Sequence, residues 1–160
     1  MAIYIEYEGI KGNITAGGYK DHIGASSLQF GVGRGISMEA GNLANREATR
    51  PSISEITFTK LADISTVSFF KESVSGSAGK KVVIKFVQTG ADQLVEFMTY
   101  TLENCLVSGY SVSGDGESDP VESISLSFAK IMVNYSDYDK SNKSATPQRV
   151  GYDLAIAKPL

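Results

Sequence analysis

Several groups of residues in this chain have types and spacings that chemistry can use. Gly31, Gly33 and Gly35 in GVGRG are spaced like a phosphate-binding turn. Such a turn aims backbone N–H groups and a helix N-terminus at the phosphate, so a strand must precede it and a helix must open directly after it. No helical periodicity follows Gly35, and phosphate binding is not expected. His22, the only histidine, lies in a polar stretch with no serine or aspartate constellation beside it, so a surface imidazole is expected rather than a general base or metal ligand. Asp115, Glu117, Asp119 and Glu122 offer carboxylates to a cation but lack the spacing of a calcium-binding hand, so they are expected to form a solvated acidic turn. Cys105, the only cysteine, excludes an internal disulfide, and its place in an apolar strand pattern predicts a buried, inert thiol. Asn13-Ile-Thr15, Asn134-Tyr-Ser136 and Asn142-Lys-Ser144 fit the N-glycosylation pattern, which matters only on a secretory route. The first residues show no basic region followed by an apolar run, so no signal peptide is expected. No catalytic residue, metal site or cofactor is expected.

The elements that would position such groups are mostly strands. At 160 residues, 42% hydrophobic and 21% charged, the chain has the composition of a folded protein, and one domain over residues 1–160 is expected. A net charge of −3 without clustered Lys and Arg argues against a nucleic-acid surface. No segment approaches the ~20 apolar residues of a membrane helix, so membrane insertion is not expected either.

Pro51 to Gly76 is the segment whose local signals agree best. Ile56 and Phe58 alternate with Glu55, Thr57 and Thr59, as in a half-buried strand. After Lys60 the period changes. Ser65 is placed to cap a helix over about residues 65–75, Ile64 and Phe69 make a hydrophobic staple, and Val67, Phe70 and Val74 form an apolar stripe expected to face the sheet. Gly76 is expected to close the helix in a left-handed conformation.

The rest reads as strands and turns. Ala2–Tyr7 and the segment carrying Leu28, Phe30 and Val32 read as strands, and Gly35–Arg50 as a long loop. Val82, Ile84 and Phe86 define a strand over Lys81–Thr89, and Gln93–Ser113 holds two strand-length runs bent near Glu103–Asn104. Gly114–Pro120 is expected as an acidic hairpin loop. Val121–Tyr135 reads as one strand, with Ile124, Leu126 and Phe128 against Ser123, Ser125 and Ser127. A polar loop over Ser136–Gln148 and a last strand over Arg149–Ala157 complete seven or eight strands. Short strands with one helix predict a closed or nearly closed antiparallel sheet with the helix outside it. Many serine faces and no acid–base cluster point to a structural or interaction protein.

FTKLADIST (Phe58–Thr66), with IKG at Ile10–Gly12, TYTLENCLVSGYSVSG at Thr99–Gly114, PVESISLSFAKI at Pro120–Ile131 and GYD at Gly151–Asp153, resembles the haemolysin-coregulated protein (Hcp) family of type VI secretion tube proteins. The likeness runs over the whole chain, with departures at Tyr19, His22, Phe30 and Val32. The resemblance implies a mainly β fold, an antiparallel β-barrel of two sheets with one flanking α-helix. It implies a homohexamer stacking into tubes inside a contractile sheath, tipped by a spike of the VgrG family and carrying small protein effectors in the lumen. Such a protein would be cytoplasmic before firing and secreted afterwards. Strand alternation then directs Gln29 and Ser111 toward the lumen. The resemblance places an extended inter-ring loop at Gly35–Arg50, with Glu39, Arg46, Glu47 and Arg50 as its charged positions, while Ser65, Phe69, Phe70 and Val74 belong to the structural helix. A related phage tail-tube protein and a monomeric ligand-binding barrel are the alternative classes.

Overall fold

The computed structural model describes residues 1–90, 93–137 and 146–160, with side chains described throughout except at 38, 39 and 42–47. Strands β1 (Ala2–Tyr7), β2 (Ile23–Ala25), β3 (Ser27–Gln29), β4 (Val32–Gly33), β5 (Ile36–Glu39), β6 (Asn42–Ala48), β7 (Ser52–Ile53) and β8 (Ile56–Leu61) precede helix α1 (Thr66–Ser75). Strands β9 (Lys80–Thr89), β10 (Leu94–Ser113), β11 (Val121–Ser127), β12 (Lys130–Tyr135), β13 (Gln148–Asp153) and β14 (Lys158–Pro159) follow it.

Two antiparallel sheets fold over one core. The first runs β2–β1–β9–β10–β12–β13–β14 and the second β10–β11–β8–β3. Strand β10 serves both. Its first part pairs with β9 and β12, its last part with β11, and the register slips between Leu102 and Cys105. Asn104, at φ 53°, makes the bend that the sequence placed near Glu103–Asn104. A Cβ on Gly79 would meet Asn104 side-chain oxygen at 1.7 Å, so the neighbouring chain passes this corner only as glycine. A second corner lies where β2 runs into β3, with Ser26 N–H donating to the Thr59 carbonyl at 2.7 Å. The molecule is therefore mainly β with one short helix, two sheets joined at corners rather than one closed barrel.

The alternation read from the sequence builds the core. Ile5, Ile56, Phe58, Val82, Ile84, Ile124 and Leu126 are fully buried, while their strand neighbours turn outward. Val121–Tyr135 is two strands rather than one, because the chain crosses from the second sheet to the first at Phe128–Ala129, following the bend of β10. The segment carrying Leu28, Phe30 and Val32 is likewise divided, β3 pairing with β8 and β4 with β7. The last strand stops at Asp153, whose carboxylate accepts from the N–H groups of Ala155 and Ile156 and turns the chain toward β14.

Gly35–Arg50 is a hairpin and not an unstructured loop. Strands β5 and β6 pair over Ile36–Ala48 with Gly41, at φ 85°, in the turn. Thr49 fastens its base, accepting from Gly35 N–H at 2.9 Å through its hydroxyl. The expected loop over Ser136–Gln148 falls mostly on 138–145, outside the described residues, as does Asn142-Lys-Ser144.

Helix α1 forms where expected but is rotated from the expected setting. Phe69 is fully buried, against Tyr7 and Phe58, whereas Val67, Phe70 and Val74 are exposed. The cause lies beneath the helix N-terminus. Lys60 and Glu122 continue the buried faces of β8 and β11, both fully buried, with Lys60 Nζ donating to Glu122 at 3.1 Å and to Asp63 at 3.0 Å. The remaining lone pairs of these carboxylates accept from the hydroxyls of Ser65 and Thr66. Buried charge requires such partners, so the helix presents its hydroxyl side inward and its valine and phenylalanine stripe to the outside. Ser65 consequently does not cap with its side chain; Asp63 receives the Ser65 N–H instead, at 2.8 Å. Gly76 is extended rather than left-handed, and is required because a Cβ there would meet the Glu72 carbonyl oxygen at 2.6 Å.

Candidate functional site

The middle of the outward face of the second sheet carries small neutral side chains, with Leu61 and Val121 beyond them at one end. Period-two alternation forces this, since every inward position of β8 and β11 is taken by the core or by the Lys60–Glu122 pair. Strand registers align Ser27, Thr59, Ser123 and Ser111 in one row across β3, β8, β11 and β10. The next row is Gln29, Thr57, Ser125 and Gly109. Gln29 and Ser111, singled out from the sequence, are both exposed and lie at opposite ends of adjacent rows.

These two rows hold no ionisable side chain. Ser27 and Thr59 hydroxyls hydrogen-bond at 2.6 Å, and those of Thr57 and Ser125 at 3.2 Å. The hydroxyls thus partly satisfy one another while leaving lone pairs and protons for water. A bulge between Val107 and Gly109 lifts Ser108 out of register, and its hydroxyl donates to Glu55 at 2.7 Å at the margin of the face. Beside it a shallow cavity of about 540 Å³ is lined by Gln29, Phe30, Gly31, Ser54, Glu55 and Thr57. Thr57, Thr59, Ser123 and Ser125 were legible only as alternation in ITFT and ESISLS; their meeting across strands required the register.

The other candidate chemistries are dispersed by the fold. His22 is not the isolated surface imidazole expected: its side chain is 12% exposed, Lys85 Nζ donates to its Nε2 at 3.1 Å, and its Nδ1–H donates to the Lys20 carbonyl at 3.2 Å. Lys85 also donates to Glu6 at 3.1 Å, and that hydrogen bond, opposed by partial burial, holds the Glu6 carboxyl below its ordinary range. Asp115 closes the acidic turn by accepting from the N–H groups of Glu117 and Ser118 at 3.0 and 3.1 Å, which lowers its pKa. Glu122 does not belong to that turn, being buried on Lys60. Among the described residues no group of three His, Cys, Asp or Glu side chains is gathered as a metal site would require. Burial pushes the Cys105 thiol up to about 12, leaving it protonated and unreactive at neutral pH. Gly31 to Gly35 runs through β4 to the start of β5 at Ile36, with no helix directly after it. Among the described residues no helix is long and apolar enough to cross a membrane.

Of the positions expected between rings, Glu39, Arg46 and Glu47 lie on the β5–β6 hairpin, with Met38 opposite Arg46 and Ser37 opposite Glu47. Arg50 is exposed just beyond it.

Comparison with known proteins places this architecture among secretion components. A protein-family model described as "Type VI secretion system effector, Hcp" matches residues 4–135. The protein hcp1 of Pseudomonas aeruginosa is 28% identical over 105 residues, a stretch covering 64% of this chain and 65% of that relative. Among solved structures, one described as a type six secretion system protein superposes with a TM-score of 0.91 at 23% identity, covering 99% of each chain. Hcp1 from Salmonella typhimurium superposes with a TM-score of 0.75 at 23% identity, over 99% of this chain and 98% of that one. A type VI secretion system effector from Yersinia pestis gives 0.74 at 20% identity, over 94% and 98%. At these identities the structural likeness establishes a shared fold.

Proposed function

The chain belongs to the Hcp family of type VI secretion proteins, a family of structural rather than enzymatic proteins, and from that premise we propose that it is a tube subunit whose hydroxyl face lines the channel. Identical copies joined through a heterologous contact close into a ring when the rotation permits. The ring is hexameric, and rings stack into a tube that a contractile sheath expels from the cytoplasm, with a VgrG-family spike at the tip. Small protein effectors travel in the lumen, where the protein acts as their carrier.

The observation that carries this reading is the paired rows Ser27–Thr59–Ser123–Ser111 and Gln29–Thr57–Ser125–Gly109. A sheet with one face in the core and the other coated by uncharged hydroxyl and amide groups suits a wet wall along which folded cargo must slide. Fixed charges would hold cargo of opposite sign and reject its opposite. The β5–β6 hairpin and Arg50 supply the contact between rings, through weak ion pairs repeated around the circumference.

Pull-down of a candidate effector with the purified ring tests the channel assignment. Gln29→Arg or Ser111→Arg should leave the ring's sedimentation unchanged and reduce effector retention several-fold. Unchanged retention by both variants would remove this face from the lumen.

A further inference from the structure

Resting on the tube reading above, we infer that neighbouring copies in the ring meet ridge to groove, the outer side of α1 in one copy seating in an apolar groove beside β3 and β4 of the next. The ridge is the stripe that the buried Lys60–Glu122 pair turns outward. Ile64, Val67, Phe70 and Val74 are 64%, 76%, 54% and 67% exposed. Four apolar side chains so exposed amount to on the order of 400 Å² in one place, within the range of patches that mark interaction surfaces.

The groove has a volume of about 350 Å³ and is lined by Phe30, Val32, Pro51, Ile53, Val133 and Val150, among other residues. Val32 and Val150 are 58% and 69% exposed there. Ridge and groove lie at opposite edges of the second sheet. Helix α1 packs on β10, one edge, with the Phe70 ring 6.0 Å from Tyr110. Phe30 and Val32 follow directly on β3, the other edge, and Val32 pairs with Ile53. Both surfaces lie toward the core side of that sheet: Tyr110 stands opposite the buried Ile124, and Phe30 stacks on Tyr100 and Phe128.

The occupant of each surface is therefore a second copy of this chain. Two copies set side by side, hydroxyl faces pointing the same way, bring the β10 edge and ridge of one toward the β3 edge and groove of the other. Two different surfaces on one chain give a heterologous contact, which propagates around a ring instead of stopping at a dimer. A stable contact buries roughly 800 Å² per partner. The ridge supplies about half of that, and Val112, 59% exposed and opposite the buried Glu122 on the same side of the sheet, extends it along β10. The hydroxyl rows stay uncovered on the other side.

Two measurements on the full chain test the contact. In sedimentation velocity, Val67→Asp and Val150→Asp should each convert the ring to monomer while retaining the wild-type far-ultraviolet dichroism and melting of the monomer; Val74→Asp replaces Val67→Asp if that variant misfolds. A chain carrying both Val67→Cys and Val150→Cys, treated with a short bis-maleimide, should give a ladder of linked species extending beyond the dimer. Either cysteine alone should give no ladder, because Cys105 is buried. Rings that persist in the aspartate variants, or a double-cysteine chain that does not link, overturn the ridge-and-groove contact and leave the tube reading standing. Wild-type protein that never forms rings overturns the tube reading itself.

Discussion

Lys60 illustrates how much one buried cation organises. It is fully buried, it donates to Glu122, Asp63 and the Leu61 carbonyl, and it lies 5.8 Å from the centre of the Phe69 ring. Lys60→Met should cost about 3–5 kcal/mol in denaturant unfolding, since it strands the fully buried Glu122 carboxylate and takes the cation from Asp63. Combining Lys60→Met with Glu122→Leu should recover a large part of that loss; a double variant as unstable as the single one would show that the pair is not what positions α1. Neither burial is read from the sequence, where Glu122 is expected in the acidic turn and the strand alternation is followed only as far as Lys60; in the structure the period-two rhythm of β8 and β11 carries both onto the core face. Their pairing was not legible, because it depends on a register between residues 62 positions apart. Cys105 gives a pH prediction of defined sign. Its folded pKa is raised by burial from the ordinary 9.0 to about 12. Stability from the protonated thiol is therefore fully present below pH 9 and is lost as pH rises toward 12. Alkylation of the native protein at pH 8 should be undetectable until denaturant is added, as followed by mass spectrometry.

At the scale of elements, burial separates what could be read from what could not. Strands β1, β8, β9 and β11 each set apolar side chains into one core, and their alternation announced them. The β5–β6 hairpin has exposed residues at its base and tip, so no hydrophobic rhythm marks it, and it is held by backbone pairing that composition does not record. Helix α1 carried a correct pattern and a misleading direction. An apolar stripe ordinarily faces the core, but here the hydroxyls of Ser65 and Thr66 are needed inside by buried charges. The two adjacent phenylalanines should therefore behave oppositely. Phe69→Ala should cost about 3–5 kcal/mol as a core truncation, while Phe70→Ala should leave monomer unfolding nearly unchanged and weaken assembly. Equal destabilisation of the monomer by both would contradict this rotation of the helix.

At the scale of the whole molecule, the chain separates its surfaces by chemistry. Neutral hydroxyls fill the middle of one sheet face, apolar side chains lie at that sheet's two edges, and the β5–β6 hairpin brings Glu39, Arg46 and Glu47 to one projection. A tube requires surfaces of these kinds for cargo, for neighbours within a ring and for the next ring. Arg46→Glu combined with Arg50→Glu should leave rings intact in sedimentation and shorten the tubes seen by electron microscopy; tubes of wild-type length in moderate salt would exclude the hairpin as the inter-ring contact. The central claim is that copies close around the hydroxyl face, and cryo-electron microscopy of the purified wild-type protein reads it directly. The account predicts six-fold rings in which Gln29, Thr57, Ser111 and Ser125 line the central channel. Particles that remain monomeric, or rings that turn this face to the outer wall, would contradict it.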